Sequence, residues 1–205
     1  LADVKITDFS PATTPLAGTE LLEVVQGGSS KKVAASDIGN SATALPFSSL
    51  SGRAYISAYS AIDQSGSTVA ATAVLIGTTD FSSGISVANN GSGNPTRITY
   101  AVAGTYMLAP SIQIANSAAA DHDVTFWLRK NGTDIAASAT VLTVPKVGDG
   151  GAAFFQFVTY VQVTAGQYIE VMWLPENAAV TLDYIAAGAI APAAPSIIIA
   201  SERIA

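Results

Sequence analysis

The chain predicts an all-β fold: an antiparallel two-sheet jelly-roll sandwich preceded by a small N-terminal β-hairpin arm. Three observations predict it. Ile98, Tyr100, Val102, Tyr106, Leu108, Ile112 and Ile114 all fall on even positions, with Gly104 and Pro110 as the only interruptions. Thr99, Thr105, Ser111 and Gln113 occupy the odd positions, so the pattern has the period of two of a half-buried strand. Val124, Phe126 and Leu128 alternate with Thr125, Trp127 and Arg129 and lead into Asn131-Gly132, a hairpin turn whose two central residues take positive φ. Turn signals then recur at short spacing: Gly66, Asn89-Asn90-Gly91, Gly104, Asn131-Gly132, Gly148 to Gly151, Gly166 and Pro175. Short strands with regular punctuation are the mark of a sandwich or jelly roll.

Taken in order, residues 1–40 form an arm. Pro11, Pro15, Gly18, Gly27 and Gly28 punctuate short apolar pieces. Leu21, Leu22, Val24 and Val25 flank Glu23 as one strand, Gln26 to Ser30 turns, and Lys31-Lys32-Val33 returns. Ser36-Asp37-Ile38 reads as a short helical turn. Such a hairpin is too small to fold alone and needs a neighbour. Residues 41–53, rich in Ser, Ala and Thr, read as a linker with Phe47 and Leu50 as its apolar points. Residues 54–205 are the head. Its expected strands are Tyr55–Ser60, Val69–Ile76, Gly84–Val87, Thr96–Val102, Thr105–Ile114, Asp123–Lys130, Thr133–Val144, Ala153–Val163, Tyr168–Leu174, Val180–Ile185 and Ser196–Ile204.

Composition narrows the function classes. The 205 residues suffice for one substantial domain with a small appendage. Hydrophobic residues make up 49% and charged residues only 12%, about half the usual charged share. So neutral a surface implies that partner subunits cover part of it. The net charge of −6, with no basic cluster beyond Lys31-Lys32 or Arg129-Lys130, argues against nucleic acid as a partner. Without cysteine there is neither a disulfide framework nor thiol chemistry. No apolar run reaches the length of a spanning helix and no signal-peptide pattern opens the chain, so a soluble protein without a membrane partner is expected.

Several strands are apolar on both faces. Phe155, Phe157, Val161 and Val163 share one face, and Phe154, Val158 and Tyr160 the other. Ile169, Val171 and Trp173 alternate with Tyr168, Met172 and Leu174, and Ile197, Ile198 and Ile199 are consecutive. A sandwich packs only one face of each sheet inward. The second apolar face needs another cover, which a symmetric homo-oligomer supplies. Trp127, Tyr160, Tyr168 and Met172 are the expected subunit-interface residues.

These landmarks carry a resemblance. The Tyr100 strand, Gly104-Thr105-Tyr106 and the alternating Leu108 to Ile114 are followed by Val124 to Leu128 with Lys130-Asn131-Gly132. Gly166-Gln167-Tyr168-Ile169 and a closing strand Ser196 to Ile204 come next. In this order, residues 54–205 resemble the trimeric jelly roll of the complement-type globular head and tumour-necrosis-factor superfamily. Ala101 stands where that family often has proline, and Ala200 where glycine is common. The resemblance implies a homotrimer. Within residues 6–38, Ile6-Thr7-Asp8-Phe9, Pro11 to Leu16, Gly18-Thr19-Glu20-Leu21, Val24 to Gly28 and Lys31-Lys32-Val33 resemble an N-terminal arm of bacteriophage structural proteins. That resemblance implies attachment to a virion.

No catalytic constellation stands out. His122, the only histidine, lies between Asp121 and Asp123, and adjacent residues point apart rather than converge as a triad requires. A zinc site needs three or four ligands. Some members of the resembling family bind calcium, for which Asp80, Asp121, Asp123 and Asp149 would be candidates, but no run of alternating acids marks a loop. Gly148-Asp149-Gly150-Gly151 lacks the lysine and helix of a phosphate cradle and reads as a mobile loop. Trp127 and Trp173 read as interface or core rather than sugar platforms. The expectation is therefore a non-enzymatic protein without catalytic residues, metal or cofactor. It would be a trimeric capsid decoration or cement protein on the virion, its arm contacting the major capsid protein or another virion protein. Leu21, Leu22, Val24 and Val25 would supply the burial, and Lys31 and Lys32 would pair with acidic groups of the shell. The alternative is a tail-fibre or spike tip that binds host-surface glycan through the loops around Asn90, Asp121 and Gly148.

Overall fold

A computed structural model describes residues 53–205, together with the backbone of 21–26 and 29–34. The chain divides between Gly52 and Arg53 into two units. In the first, β1 (Leu21–Gln26) pairs antiparallel with β2 (Ser29–Ala34) from Leu21 opposite Ala34 to Gln26 opposite Ser29. This is the hairpin read from the apolar run and the Gly27-Gly28 turn. The turn at Ser36 to Ile38, most of the 41–53 linker and the residue 6–20 motifs lie outside the described residues.

The second unit is a sandwich of two antiparallel sheets with no α-helix among the described residues. Its strands are β3 (Tyr55–Ser60), β4 (Gln64–Ser65), β5 (Thr72–Ala73), β6 (Thr78–Ser83), β7 (Ile85–Asn89), β8 (Pro95–Tyr100), β9 (Gly104–Asn116) and β10 (His122–Lys130). They continue as β11 (Thr133–Asp134), β12 (Thr140–Val144), β13 (Ala152–Gln156), β14 (Thr159–Val163), β15 (Tyr168–Pro175), β16 (Val180–Leu182) and β17 (Ile197–Arg203). In the first sheet β10 and β15 lie at the centre. β11 and β12 border β10, while β8 with β7, and the short β5, border the far side of β15. The second sheet runs β6–β3–β17–β9, with β16 and β4 prolonging it. Because β17 takes one side of β9, β13 and β14 take the other and form the sheet's edge.

The inward faces of the two sheets interdigitate as one core. Ile98, Tyr100, Tyr106, Leu108, Ile112 and Ile114 are all buried, as the even-position pattern requires. Opposite them Phe126 stacks between Trp173, at 6.4 Å between ring centroids, and Phe155, at 5.0 Å. Tyr100 and Tyr106 pack at 4.5 Å. Tyr106 donates its hydroxyl hydrogen bond to the carbonyl of Val102 at 2.8 Å. Burial pushes the Tyr100 hydroxyl up to about 12. The Asn131-Gly132 turn has φ of 48° and 81° and joins Lys130 to Thr133 as a two-residue hairpin.

The strand expectations hold at the centre of each sheet and fail at the margins. Val102 breaks the even-position series: it lies in the turn after β8 and is exposed. Val69–Ile76 forms only the two-residue β5, with Val69 fully out of the fold at 91% exposure. Thr133–Val144 is two strands, because Ala137 turns the chain with φ of 58°. The Val180–Ile185 strand ends at Leu182, with Ile185 making an isolated bridge to Ala194, and β6 carries no apolar pattern because its Thr- and Ser-rich residues are all exposed. Gly104 and Pro110 do not interrupt a strand; both lie within β9. Pro110 interrupts the neighbouring strand instead. The expected Ala153–Val163 is divided into β13 and β14 opposite Pro110, which offers no N–H to the ladder, although the amide of Phe157 still reaches the Pro110 carbonyl at 3.4 Å. The register is the same on both sides of the gap, so the edge runs as one line.

Candidate functional site

The two sheets present contrasting outward faces, and the candidate site is the outward face of the second. Alternation along β13 and β14 leaves Phe154, Val158 and Tyr160 pointing away from the core, while Phe155 and Phe157 pack into it. Phe154, Val158 and Tyr160 are each more than half exposed. The register carries this surface across the sheet. Tyr160 stands beside Met107, and Gln156 beside Ser111, which adjoins Ile198, itself beside Tyr59. At the other margin Tyr55 and Phe81 form an exposed tilted pair with ring centroids 6.1 Å apart. They line a hollow of about 480 Å³ whose floor includes Met107 and Ala200, with Arg53, Glu202 and Arg203 at its border. Covering side chains such as Phe154, Val158 and Ile198 is worth on the order of 1.5 kcal/mol or more each.

The large side chains on the outward face of the first sheet engage partners within the chain, while Val141 on β12 stays exposed. Trp127 donates from its indole nitrogen to Asp134 at 2.8 Å, and Arg129 reaches the same carboxylate oxygen at 2.8 Å. Arg129, then Trp127, hold the Asp134 carboxyl below its usual range. Arg97 lies over the Tyr168 ring at 4.2 Å and stands 3.8 Å from Glu170. Glu170 also accepts a hydrogen bond from Thr96 at 2.7 Å. Met172 sits between Trp127 and Ala73 in the ladder and is buried.

The four expected interface residues therefore do not share one surface. Tyr160 is on the outward face of the second sheet; Trp127, Tyr168 and Met172 are on that of the first. Period two correctly puts these three on the face opposite the core. It does not show that Asp134, Arg97 and the β5 segment of the same chain already engage or flank them. The residues that sequence reasoning does not single out are Tyr55, Phe81 and Met107: Tyr55 and Met107 adjoin core residues, and Phe81 stands among Thr, Asp and Ser. Their signal is parity: each sits one position away from a buried residue or on an edge strand. Leu21, Leu22, Val24 and Val25 lie on β1, and Lys31 and Lys32 on β2, with Val24 opposite Lys31.

The acidic residues around His122 make local bonds. His122 approaches Glu176 at 3.4 Å, and the Asp123 amide donates to the same oxygen at 3.0 Å. These two contacts, the amide first, hold Glu176 below its usual range. Asp121 accepts from the Lys146 amide at 2.8 Å, Asp123 from the Thr143 hydroxyl at 2.6 Å, and Asp80 from Ser57 at 3.3 Å. Asp149 pairs with Lys146 at 3.5 Å. Among the described residues no group of three or more His, Cys, Asp or Glu is placed to hold a metal. The Gly148 to Gly151 loop is anchored at its Gly151 end, while Gly148, Asp149 and Gly150 are exposed. Gly151 is buried with φ of 59°, donates to Lys146 at 3.0 Å, and accepts from the Asn116 amide at 2.7 Å.

No family model matches the chain, and no curated protein does. Solved structures do. Murine APRIL at pH 8.5 is 10% identical, with a TM-score of 0.46 over 74% of this chain and 99% of that one. Murine APRIL at pH 5.0 is 9% identical, with a TM-score of 0.47 over the same shares. The head is a jelly-roll sandwich. That assignment stands on its own strand order and pairing.

Proposed function

We propose that the chain is a non-enzymatic structural protein of a bacteriophage virion, a homotrimer whose head assembles through the outward face of its second sheet. Its N-terminal arm would attach it to the particle as a capsid decoration or cement protein. The observation that carries this reading is the set of exposed apolar side chains on this face, Phe154, Val158 and Tyr160 at one margin, Ile198 between, and Tyr55 and Phe81 at the other, with Gln156, Ser111 and Ser57 among them. Both margins carry exposed aromatics and a hollow: Tyr160 lines one of about 410 Å³ beside the β10–β11 hairpin, and Tyr55 and Phe81 line one of about 480 Å³. A head-to-tail contact between the two margins would generate a ring where its rotation closes. The resemblance of residues 54–205 to a trimeric superfamily supports a ring of three.

The arm supports the second half of the reading. A lone two-stranded hairpin is marginal in water, so β1–β2 is suited to stabilisation on a larger surface. The phage-type motifs of residues 6–38 point to a virion as that surface, and three arms per trimer would bind with avidity. The test is copy number on purified particles. Decoration predicts many copies retained on capsids stripped of tails, and loss of capsid binding when residues 1–40 are deleted. A few copies that leave with the tail would contradict it and favour a tail-fibre tip. One feature, a polar hollow at one end of the head, favours that second reading.

A further inference from the structure

The geometry points to a binding site for a neutral hexose-sized saccharide in a polar hollow at the end of the head opposite the arm junction. The chain enters the head at Arg53 and Ala54. There the Ala54 carbonyl accepts the Arg203 amide at 2.8 Å, and the C-terminal Ala205 carbonyl accepts the Thr105 amide at 2.9 Å. Entry, C-terminus and the start of β9 thus share one end. β3 carries the chain away from that end to Asp63 and Gln64, and β8 runs back toward it from Pro95. The turn Asn90–Asn94 and the segment Asp63–Ser65 therefore lie at the far end of the head from Arg53.

Here a hollow of about 390 Å³ is bordered by Asp63, Gln64, Thr72, Asn90, Asn94 and neighbouring residues, and polar atoms form most of its wall. Its frame is fixed. The buried Gln64 amide donates to the Leu75 carbonyl at 3.1 Å and to Ser196 at 3.2 Å, and accepts from the Leu75 amide at 2.7 Å. Asn90 Oδ1 accepts the amides of Ser92 and Asn94 at 2.9 and 3.1 Å, closing its turn. Asp63 Oδ1 accepts the Tyr184 amide at 2.8 Å. What remains is a set of uncommitted groups on a rigid rim. Asp63 Oδ2, the Asn90 amide NH₂ and both ends of the Asn94 amide have no side-chain partner among the described residues. Acceptors and donors interleaved in this way suit the vicinal hydroxyls of a sugar, each of which both donates and accepts. Preorganisation lowers the ordering cost of binding. Asp63 is the one charged group on the lining, so the site disfavours acidic sugars.

The site belongs with the tail-tip reading for its biological use, whereas its binding is a property of the protein alone. The test is titration of the ¹⁵N-labelled full chain with glucose, galactose, N-acetylglucosamine, N-acetylneuraminic acid and, separately, calcium chloride, read by amide shifts. The expected result is saturable shifts at Asn90, Asn94 and Asp63 for at least one neutral sugar, with a dissociation constant of about 1 mM. Asn94→Ala and Asp63→Asn should each weaken binding about fivefold or more, with the other amide positions confirming an intact fold. Shifts caused only by calcium, stronger binding of N-acetylneuraminic acid, or no shift at the hollow for any neutral sugar would overturn the proposal. Those results would leave the trimeric face and the arm untouched, since neither depends on this end of the head.

Discussion

The outward faces of the two sheets are built from the same alternation and reach opposite outcomes. On the first sheet, Trp127 and Arg129 converge on Asp134, Arg97 covers Tyr168, and Met172 is buried between its ladder neighbours. On the second, Phe154, Val158, Tyr160, Tyr55 and Phe81 face solvent in a single subunit. The difference shows that an apolar residue off the core face is not by itself evidence of a partner. What separates the two cases is whether the same chain supplies polar hydrogen-bonding and packing neighbours. Phe154, Val158 and Tyr160 on the second face remain more than half exposed, so a subunit contact would gain most by covering that face.

The sharpest way to break this comparison is to charge each face in turn. Phe154→Asp should place an unpaired carboxylate in the subunit contact, costing about 3 kcal/mol or more of assembly, and sedimentation should find monomers. Thr125→Asp, on the outward face of the first sheet, should leave the assembly intact. If Thr125→Asp dissociates the protein and Phe154→Asp does not, the faces have been assigned the wrong way round. Next in size is the core between them. Trp173→Ala removes the fully buried indole that stacks near Phe126 and should cost about 3–5 kcal/mol in denaturant unfolding.

The central pattern of the sheets was legible because β8, β9, β10 and β15 each bury one face completely, which writes period two into the residues. Asn131-Gly132 was legible because its turn demands positive φ. The margins were not. The division opposite Pro110 originates in a different strand from the one it divides, and β6 carries no apolar period because neither of its faces is buried. The site was half legible. Tyr160 could be placed off the core by parity. Whether Trp127 or Tyr168 was free depended on Asp134 and Arg97, which are brought near by the hairpin and by the β8–β15 pairing. No local pattern encodes a cation over a ring contributed by the adjacent strand.

Two smaller effects sharpen the contrast between interior and satisfied surface. Burial raises Tyr100 from 10.0 to about 12, so the unfolded chain ionises this group before the folded one does. The corresponding stability is complete below pH 10 and lost as pH rises through 12, on the order of 2 kcal/mol. Tyr100→Phe should flatten that part of the alkaline unfolding curve. Asp134 is shifted the other way by Arg129 and Trp127. Its contribution is present above the ordinary carboxylate range and lost as pH falls through the lowered value. Because the pair is solvated, Asp134→Asn should cost less than about 1 kcal/mol, and indole fluorescence should report the loss of the Trp127 hydrogen bond.

The central claim is that the outward face of the second sheet is covered by copies of the same chain. Light scattering on the eluted 205-residue chain measures this directly. The account predicts three times the 20.8 kDa mass of one chain, held at low micromolar concentration. A mass of 20.8 kDa would contradict it.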